Sequence, residues 1–529
     1  MYRTAIIALT AIAYLAVPPA KAQFTIGGNS RVNPDDFVLT TFADNLNYPV
    51  GMVELEDGSI LVAVANGGSF FGSTSGQILR LVDEDNDGVA DSHTVIEDNL
   101  TIGGPSSLKK IDDLLFVTGQ TKPIAILRLG PGPDFDLTEL GRINIDDGSS
   151  WMHPNSALVV RRIGDTYELY FPLGSKANFA KTTQTRSLTS TIGLSADLAG
   201  DAIHRVTFSY DGETITGLDV TQIATGLRSA SGLAFHPKTG DLYFEDNGID
   251  GLVQAIEAHS ADEINAIPVD QLGGAIDDFG FPDNYIAYRT GEFIGGGATP
   301  PVVAFTPLPN PVDGSESEGP NEIAFAPPGF PHGLNDGLFV GFHGQFSKSG
   351  LSNEENPLVY VDLNTGEYFH FVSNEEPTVG HLDGLLASQD RLYVADISSH
   401  GGFGSGARNS GAIYQIRYVG KPTVVHRISA ENPDRFSLMN AFPNPFNPTT
   451  TIRFTVPATS AALSAQLVVY DLVGQRMKTL MDQIVETGIY AATWDGTDAH
   501  GRAVASGTYV YRLRIGDKFR ESGRVTLLK

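Results

Sequence analysis

The sequence predicts an all-β protein: a six-bladed β-propeller followed by a small β-sandwich. Three observations carry this. A strand–turn–strand unit recurs six times between residues 35 and 418. Sustained helical periodicity is almost absent beyond the N-terminus. The composition also shifts after residue 435, where an acidic chain turns mildly basic and a new set of short strands begins.

The unit is clearest in residues 226–265. Gly232 to Phe235 reads as a short apolar strand, and His236 to Gly240 as a turn in which Pro237 fixes φ and Gly240 is free to take positive φ. Asp241 to Glu245 alternates apolar and polar residues, as a half-buried strand should, and Asp246-Asn247-Gly248 closes the unit. Related units start at Pro49, Pro105, His153, Pro320 and His381. Each is about one four-stranded sheet long. A lone sheet cannot bury both faces, so the units must stack, and radial stacking gives a propeller. Two packed sandwiches would explain the strands but not the recurring lead-in. The insertions around 176–200 and 268–318, the second rich in Gly and Pro, are predicted to be long loops on one face, where binding sites gather.

Residues 1–22 read as a secretory signal, with Arg3 as the charged start, Ala5 to Val17 as the apolar run and Ala20-Lys21-Ala22 as a small-x-small cleavage site. The run is too short to span a membrane comfortably, and no later stretch approaches about 18 uninterrupted apolar residues. An exported protein without a transmembrane span in its mature chain is expected. The 529 residues include 35 basic and 62 acidic ones, a net charge of −27. That argues against nucleic acid as a partner and suits a solvated exported surface with bound cations. Without cysteine there is no disulfide staple and no thiolate chemistry. Residues 419–435, with Pro422 and Pro433, read as a linker. Residues 436–529 carry ten basic and seven acidic residues, with strands expected over 450–456, 465–471, 490–494 and 507–515 and turns at Gly474, Gly488, Gly496 and Gly501.

A metal site is expected in Asp83-Glu-Asp-Asn-Asp-Gly-Val-Ala-Asp91. Alternate carboxylates at Asp83, Asp85 and Asp87 let one tight loop converge oxygens on a hard cation, Gly88 permits the reversal, and Asp91 adds a ligand directly or through water. The twelfth position is Thr94 rather than a bidentate Glu, and the flanks are strand-like, so the loop is not an EF-hand. Calcium in a structural role is the expectation, against a solvated acidic turn. The chain has no Gly-x-Ser-x-Gly elbow, no His-Glu-x-x-His and no phosphate loop, so serine hydrolase, zincin and P-loop chemistry lack local support.

Two resemblances follow from longer motifs. Asn440-Ala-Phe-Pro-Asn-Pro-Phe-Asn-Pro, Val469-Tyr-Asp-Leu-Val-Gly-Gln and the stretch from Trp494 to Leu513 resemble the C-terminal sorting domains of the type IX secretion system, and the related immunoglobulin-like module of a flagellar hook-capping protein. The resemblance implies an immunoglobulin-like sandwich, type IX machinery as a partner, and a secreted or surface-displayed location. The order Gly-Leu-Arg, Gly-Leu-Ala-Phe, Pro-x-Thr-Gly-Asp-Leu-Tyr, Asn-Gly, Asp-Glu-Ile-Asn from Gly226 to Asn265, with Asp278-Phe-Gly-Phe-Pro282 and His343-Gly-Gln-Phe-Ser-Lys348, resembles the glucose/sorbosone dehydrogenases. These are six-bladed propellers that use pyrroloquinoline quinone (PQQ) with calcium to oxidise sugars or related alcohols.

That second resemblance implies roles residue by residue. His153 matches the catalytic base, whose ordinary pKa near ~6.5 suits proton uptake. Arg228 matches the arginine that pairs with cofactor and reacting oxygen. Lys348 falls near a PQQ-contacting lysine, and Gly248 and Ile249 lie where backbone carbonyls reach the cofactor calcium. Some positions depart from the pattern: Ser229 stands for Asn, Met152 for Asp, and Gly380-His381-Leu382 for a segment that in one branch supplies two arginines to the quinone. Fewer cationic partners weaken the hold on a polycarboxylate, so the alternative expectation is a non-catalytic surface propeller that binds glycan or protein.

Overall fold

The computed structural model describes residues 26–27, 29, 31–119, 123–132, 136–146, 152–153, 157–252, 258–310, 319–331, 333–344, 357–372, 381–399, 404–419, 425–429, 433–447, 449–458, 463–498 and 504–528. The predicted signal (1–22) and Lys348 lie outside them.

Six sheets follow one another along the chain, antiparallel except for a short parallel pairing of Ile215–Thr225 with Asp277–Asp278. The first four consist of Met52–Glu54 to Ser92–Leu100, of Pro105–Ile111 to Leu137–Ile145, of Val159–Ile163 to Ile215–Thr225, and of Leu233–Phe235 to Val303–Phe305. The fifth runs from Pro320–Phe325 to Tyr368–Val372. The sixth combines Gly384–Ala387, Arg391–Asp396 and Gly411–Tyr418 with Phe37–Leu46 from the start of the chain, which pairs antiparallel with Gly411–Tyr418. Backbone hydrogen bonds between the first and last strands of the six-sheet region thus complete the last sheet, with Phe37–Leu46 as its outer strand.

Between each sheet and the next lies a separate apolar core. Leu61 and Val117 share one, Phe116 and Phe208 the next, Tyr170 and Phe244 the third, Ile264 and Val340 the fourth, and Phe339 and Val394 the fifth. Tyr393 of the sixth sheet packs with Val62 of the first. Each sheet therefore buries both faces against neighbours, which is the propeller arrangement that lone sheets require. Across the ring, Lys109 in the innermost strand of the second sheet meets Glu322 in that of the fifth at 2.9 Å. This ion pair bridges the central channel and divides its two mouths.

Two insertions differ from expectation. The sequence predicts loop over residues 176–200, but Thr185–Ser190 and Ser195–Ala199 form a hairpin that extends the second sheet by pairing with Leu137–Ile145. Leu188 and Leu198, both buried, alternate with exposed polar neighbours, and that alternation is the local signal of the hairpin. The 268–318 insertion supplies the small hairpin Tyr285–Ile286 with Phe293–Ile294 and the fourth sheet's outer strand Val303–Phe305; residues 311–318 lie outside the described set.

The C-terminal region is a sandwich of two four-stranded sheets around Trp494, Phe454, Leu467 and Tyr511. The buried Trp494 contacts Phe446 and Tyr509, and its indole N–H donates to the Thr497 carbonyl at 2.9 Å, so its one polar atom is satisfied. The linker prediction needs correction. Within 419–435, Val425–Ser429 forms an edge strand of this sandwich, paired with Gly488–Trp494. Pro422 and Pro433 bracket that strand in the sequence, so the segment is not a continuous spacer. No helix among the described residues is long and apolar enough to cross a membrane.

Candidate functional site

In an antiparallel sheet, the start of the first strand and the end of the second share one edge. The lead-ins at His153, Arg228, Gly319 and His381 therefore meet the second-strand ends at Gly174, Asp246 and His343 on one face of the ring. This mouth contains the candidate site.

The fourth sheet organises it. Leu242–Asp246 and Asp262–Ile267 pair so that Asp246 lies directly opposite Glu263, with Glu245 and Asp262 as neighbours. Like charges opposite one another destabilise a sheet, and burial raises each pKa: Asp246 to about 7, Asp262 to about 6 and Glu263 to about 8, with Glu245 also well above the usual carboxylate range. Backbone N–H groups offset part of the cost. Asp246 accepts from the N–H of Arg228 at 3.0 Å and of Ser229 at 2.6 Å. Asp262 accepts from Gly248 at 2.6 Å and Gly319 at 2.8 Å, and Glu245 from Gly232 at 3.0 Å. The carboxylates thereby fasten the lead-ins of the fourth and fifth sheets in place. Glycine is required at Gly248, where an added Cβ would stand 2.4 Å from the Ser260 carbonyl oxygen. It is also required at Gly226, where φ is +71° and a Cβ would stand 2.2 Å from Asp278.

The structure brings His153 and Arg228 together. Ser175 donates its N–H to the Arg228 carbonyl at 2.7 Å, and His153 donates its N–H to the Ser175 carbonyl at 3.0 Å. His153 Nε2 is buried without a hydrogen-bond partner among the described residues. Desolvation, and secondarily the Arg228 charge, lowers the His153 pKa to about 3, so the imidazole is neutral at physiological pH. Arg228 is itself buried. Its guanidinium donates to Asn178 Oδ1 at 3.1 and 2.9 Å, to the Asn247 carbonyl at 3.3 Å and to Asp250 at 2.5 Å. Asp250 is 63% exposed, so the guanidinium holds an anion at its solvent side.

A second cluster adjoins through Gly319. His343 Nδ1 donates to the buried Asp383 at 2.5 Å, and His381 stacks on His343 with ring centroids 4.4 Å apart while donating Nδ1–H to the His343 carbonyl. Burial holds His381 near pKa 4, hence neutral. The Asp383 carboxylate holds the His343 ring in a fixed orientation. Sequence reasoning gives no role to Asn178, Asp246, Asp250 or the His343–Asp383 pair. Asp246 and Asp383 stand within recognisable motifs, but what they hold lies in other segments.

The metal predictions fare unevenly. Carboxylate oxygens of Asp83, Asp85 and Asp91 lie within 4.8 Å of one another. Asp87 is not in that group; its Oδ1 accepts from the Val89 N–H at 2.8 Å, closing the turn. Gly88, with φ +92°, makes the expected reversal. Thr40 and Arg417 bind the carbonyls of Gly88 and Asn86 at 2.5 and 2.9 Å, tying the loop to the sixth sheet. Ile249 does not present a free carbonyl, since it accepts from the N–H groups of His259 at 2.7 Å and Ser260 at 3.2 Å, using both lone pairs. Gly248 remains as the backbone position facing a small cavity of about 20 Å³ shared with Asp246, Glu263 and Tyr285, room for roughly one water or ion.

Comparison with known proteins places these features in context. Residues 440–515 match the FlgD Ig-like domain. The holo PQQ domain of pyranose dehydrogenase from Coprinopsis cinerea is similar in structure at 15% identity, with a TM-score of 0.50 over 76% of this chain and 99% of that one. A calcium-bound carbohydrate-active enzyme of family AA12 from Trichoderma reesei gives 15% identity and a TM-score of 0.46, covering 73% and 96% of the two chains. A putative glucose dehydrogenase from Thermus thermophilus gives 16% and 0.43, covering 72% and 99%. No curated protein sequence matches significantly. At such identity the likeness to the pyranose dehydrogenase domain establishes a shared β-propeller fold, here joined to an immunoglobulin-like module.

The raised carboxylate pKa values imply a pH dependence of stability. Between the unfolded pKa near ~4 and the folded values, the native state binds more protons than the unfolded chain. Stability is therefore greatest on the acid side and falls as pH rises through about 6 to 8, the values for Asp262, Asp246 and Glu263. The melting temperature of the propeller should fall from pH 5 to pH 8, and Glu263→Gln should flatten the upper part of that fall.

Proposed function

We propose that the propeller is an oxidoreductase acting on a sugar or related alcohol with PQQ and calcium. The observation that carries this reading is the convergence of His153 and Arg228, through Ser175, at one mouth of a propeller with this fold. The residues present fit an anionic quinone in one respect: Arg228 already holds an exposed carboxylate, and a ligand carboxylate that displaced Asp250 would inherit a charge-assisted bond. The Gly248 carbonyl would face the cofactor calcium, without Ile249. PQQ, when bound, supplies a hydride acceptor. His153 would take the substrate hydroxyl proton at Nε2, and Arg228 would steady the negative charge that develops on that oxygen. Lys348 stays assigned to PQQ by resemblance only.

A second reading, a non-catalytic propeller that binds glycan, is favoured by a specific observation. His381, neutral, and Leu382 stand where arginines would hold the quinone, and most Arg228 donors are already bound within the protein. Dye reduction over a panel of sugars, with the full chain supplied with PQQ and calcium, separates the two. The first reading expects turnover, with His153→Ala lowering kcat by about 10²–10⁴ at unchanged melting temperature. Because His153 titrates near 3, the rate should show no acid limb from this group between pH 5 and 8. Absence of both dye reduction and PQQ binding leaves the second reading standing.

The Asp83–Asp91 loop is proposed as a structural calcium site, with Asp83, Asp85 and Asp91 as side-chain ligands. Calcium should raise the melting temperature of the wild type, and Asp85→Asn should remove most of that rise; an equal rise in both would contradict the assignment.

A further inference from the structure

The inserted segment after the third sheet's second strand does more than extend the second sheet. Its first turn carries Phe179, whose side chain is 44% exposed. A lone exposed aromatic is unremarkable on a protein surface; the loop that carries this one is pinned by side-chain hydrogen bonds. Ser175 Oγ donates to the Ala177 carbonyl at 2.8 Å, and the Lys176 N–H to Thr182 Oγ1 at 2.9 Å. The Thr182 N–H donates to the buried Asp201 at 2.7 Å. Asn178 accepts from Arg228 and from the Asp250 N–H at 2.9 Å, and donates to the Asp250 carbonyl at 3.2 Å. The ring lies against His259 and Tyr285, at 5.7 and 6.4 Å between centroids, and His259 Nε2 is bonded to the Tyr285 hydroxyl at 2.9 Å, which fixes both rings.

We propose that Phe179, framed by His259 and Tyr285, is a stacking platform for a sugar ring whose hydroxyls donate to the exposed carboxylate of Asp250. A pyranose has an apolar C–H face and a polar edge. An aromatic face beside an exposed carboxylate matches both, and a rigid loop presents them without an ordering cost on binding. Asn178 is a positioning residue: it joins the platform to Arg228, so a ring on Phe179 lies next to the proton-handling face. The inference deepens the sugar-directed reading and rests on it for substrate class, yet it concerns binding alone.

Saturation-transfer NMR on the full chain without PQQ, with glucose, galactose, xylose and cellobiose as probes, tests it. The wild type should transfer to ring C–H protons of at least one sugar. Phe179→Ala should weaken that binding about tenfold at unchanged melting temperature, and Phe179→Trp should preserve it. No transfer to any probe, or equal transfer in wild type and Phe179→Ala, overturns the platform. Binding that depends on Phe179 without any dye reduction supports the platform and removes the oxidoreductase reading. Dye reduction with binding indifferent to Phe179 does the reverse.

Discussion

The mouth of this propeller depends on carboxylates that are buried where the fourth sheet meets its neighbours. Asp246 takes the backbone N–H groups of Arg228 and Ser229, and Asp262 takes those of Gly248 and Gly319. Each such bond costs desolvation and returns a charge-assisted hydrogen bond. Together they hold three chain segments that no continuous sheet connects. Without them the Arg228 backbone would be an ordinary loop, and its guanidinium would not meet Asn178 and Asp250.

Electrostatics follow from that frame. Burial, and secondarily the charge of the arginine beside it, disfavours the His153 imidazolium, so the histidine stays neutral. The exposed Asp250 partly neutralises the arginine, which keeps a cation tolerable in a nearly dry setting. At mid-channel the Lys109–Glu322 pair separates this mouth from the opposite one, where a cavity of about 610 Å³ opens among the innermost strands.

Much of the fold was legible because it is local. The turn from His236 to Gly240 forms as read, with the Gly240 N–H bonded to the His236 carbonyl, and the flanking strands fall within a residue of expectation. Arg228 and His153 were legible through motif context. What was not legible depends on distant pairing. The hairpin at 185–199 was hidden because it joins a sheet that precedes it in the chain. His343 finds Asp383 across two sheets, which no spacing encodes. Val425–Ser429 resembled a linker because its pairing partner lies some sixty residues on. The Ile249 carbonyl was assigned to a metal from motif position, but its neighbours in the fold bind it instead.

Arg228 offers an anion seat that Asp250 occupies. Calorimetric titration of PQQ, with calcium, into wild type and Asp250→Asn tests it most directly. Removing the competing carboxylate should tighten quinone binding relative to wild type, since the guanidinium no longer has to exchange one anion for another. Weaker binding in the variant, or no binding in either protein, would contradict the account.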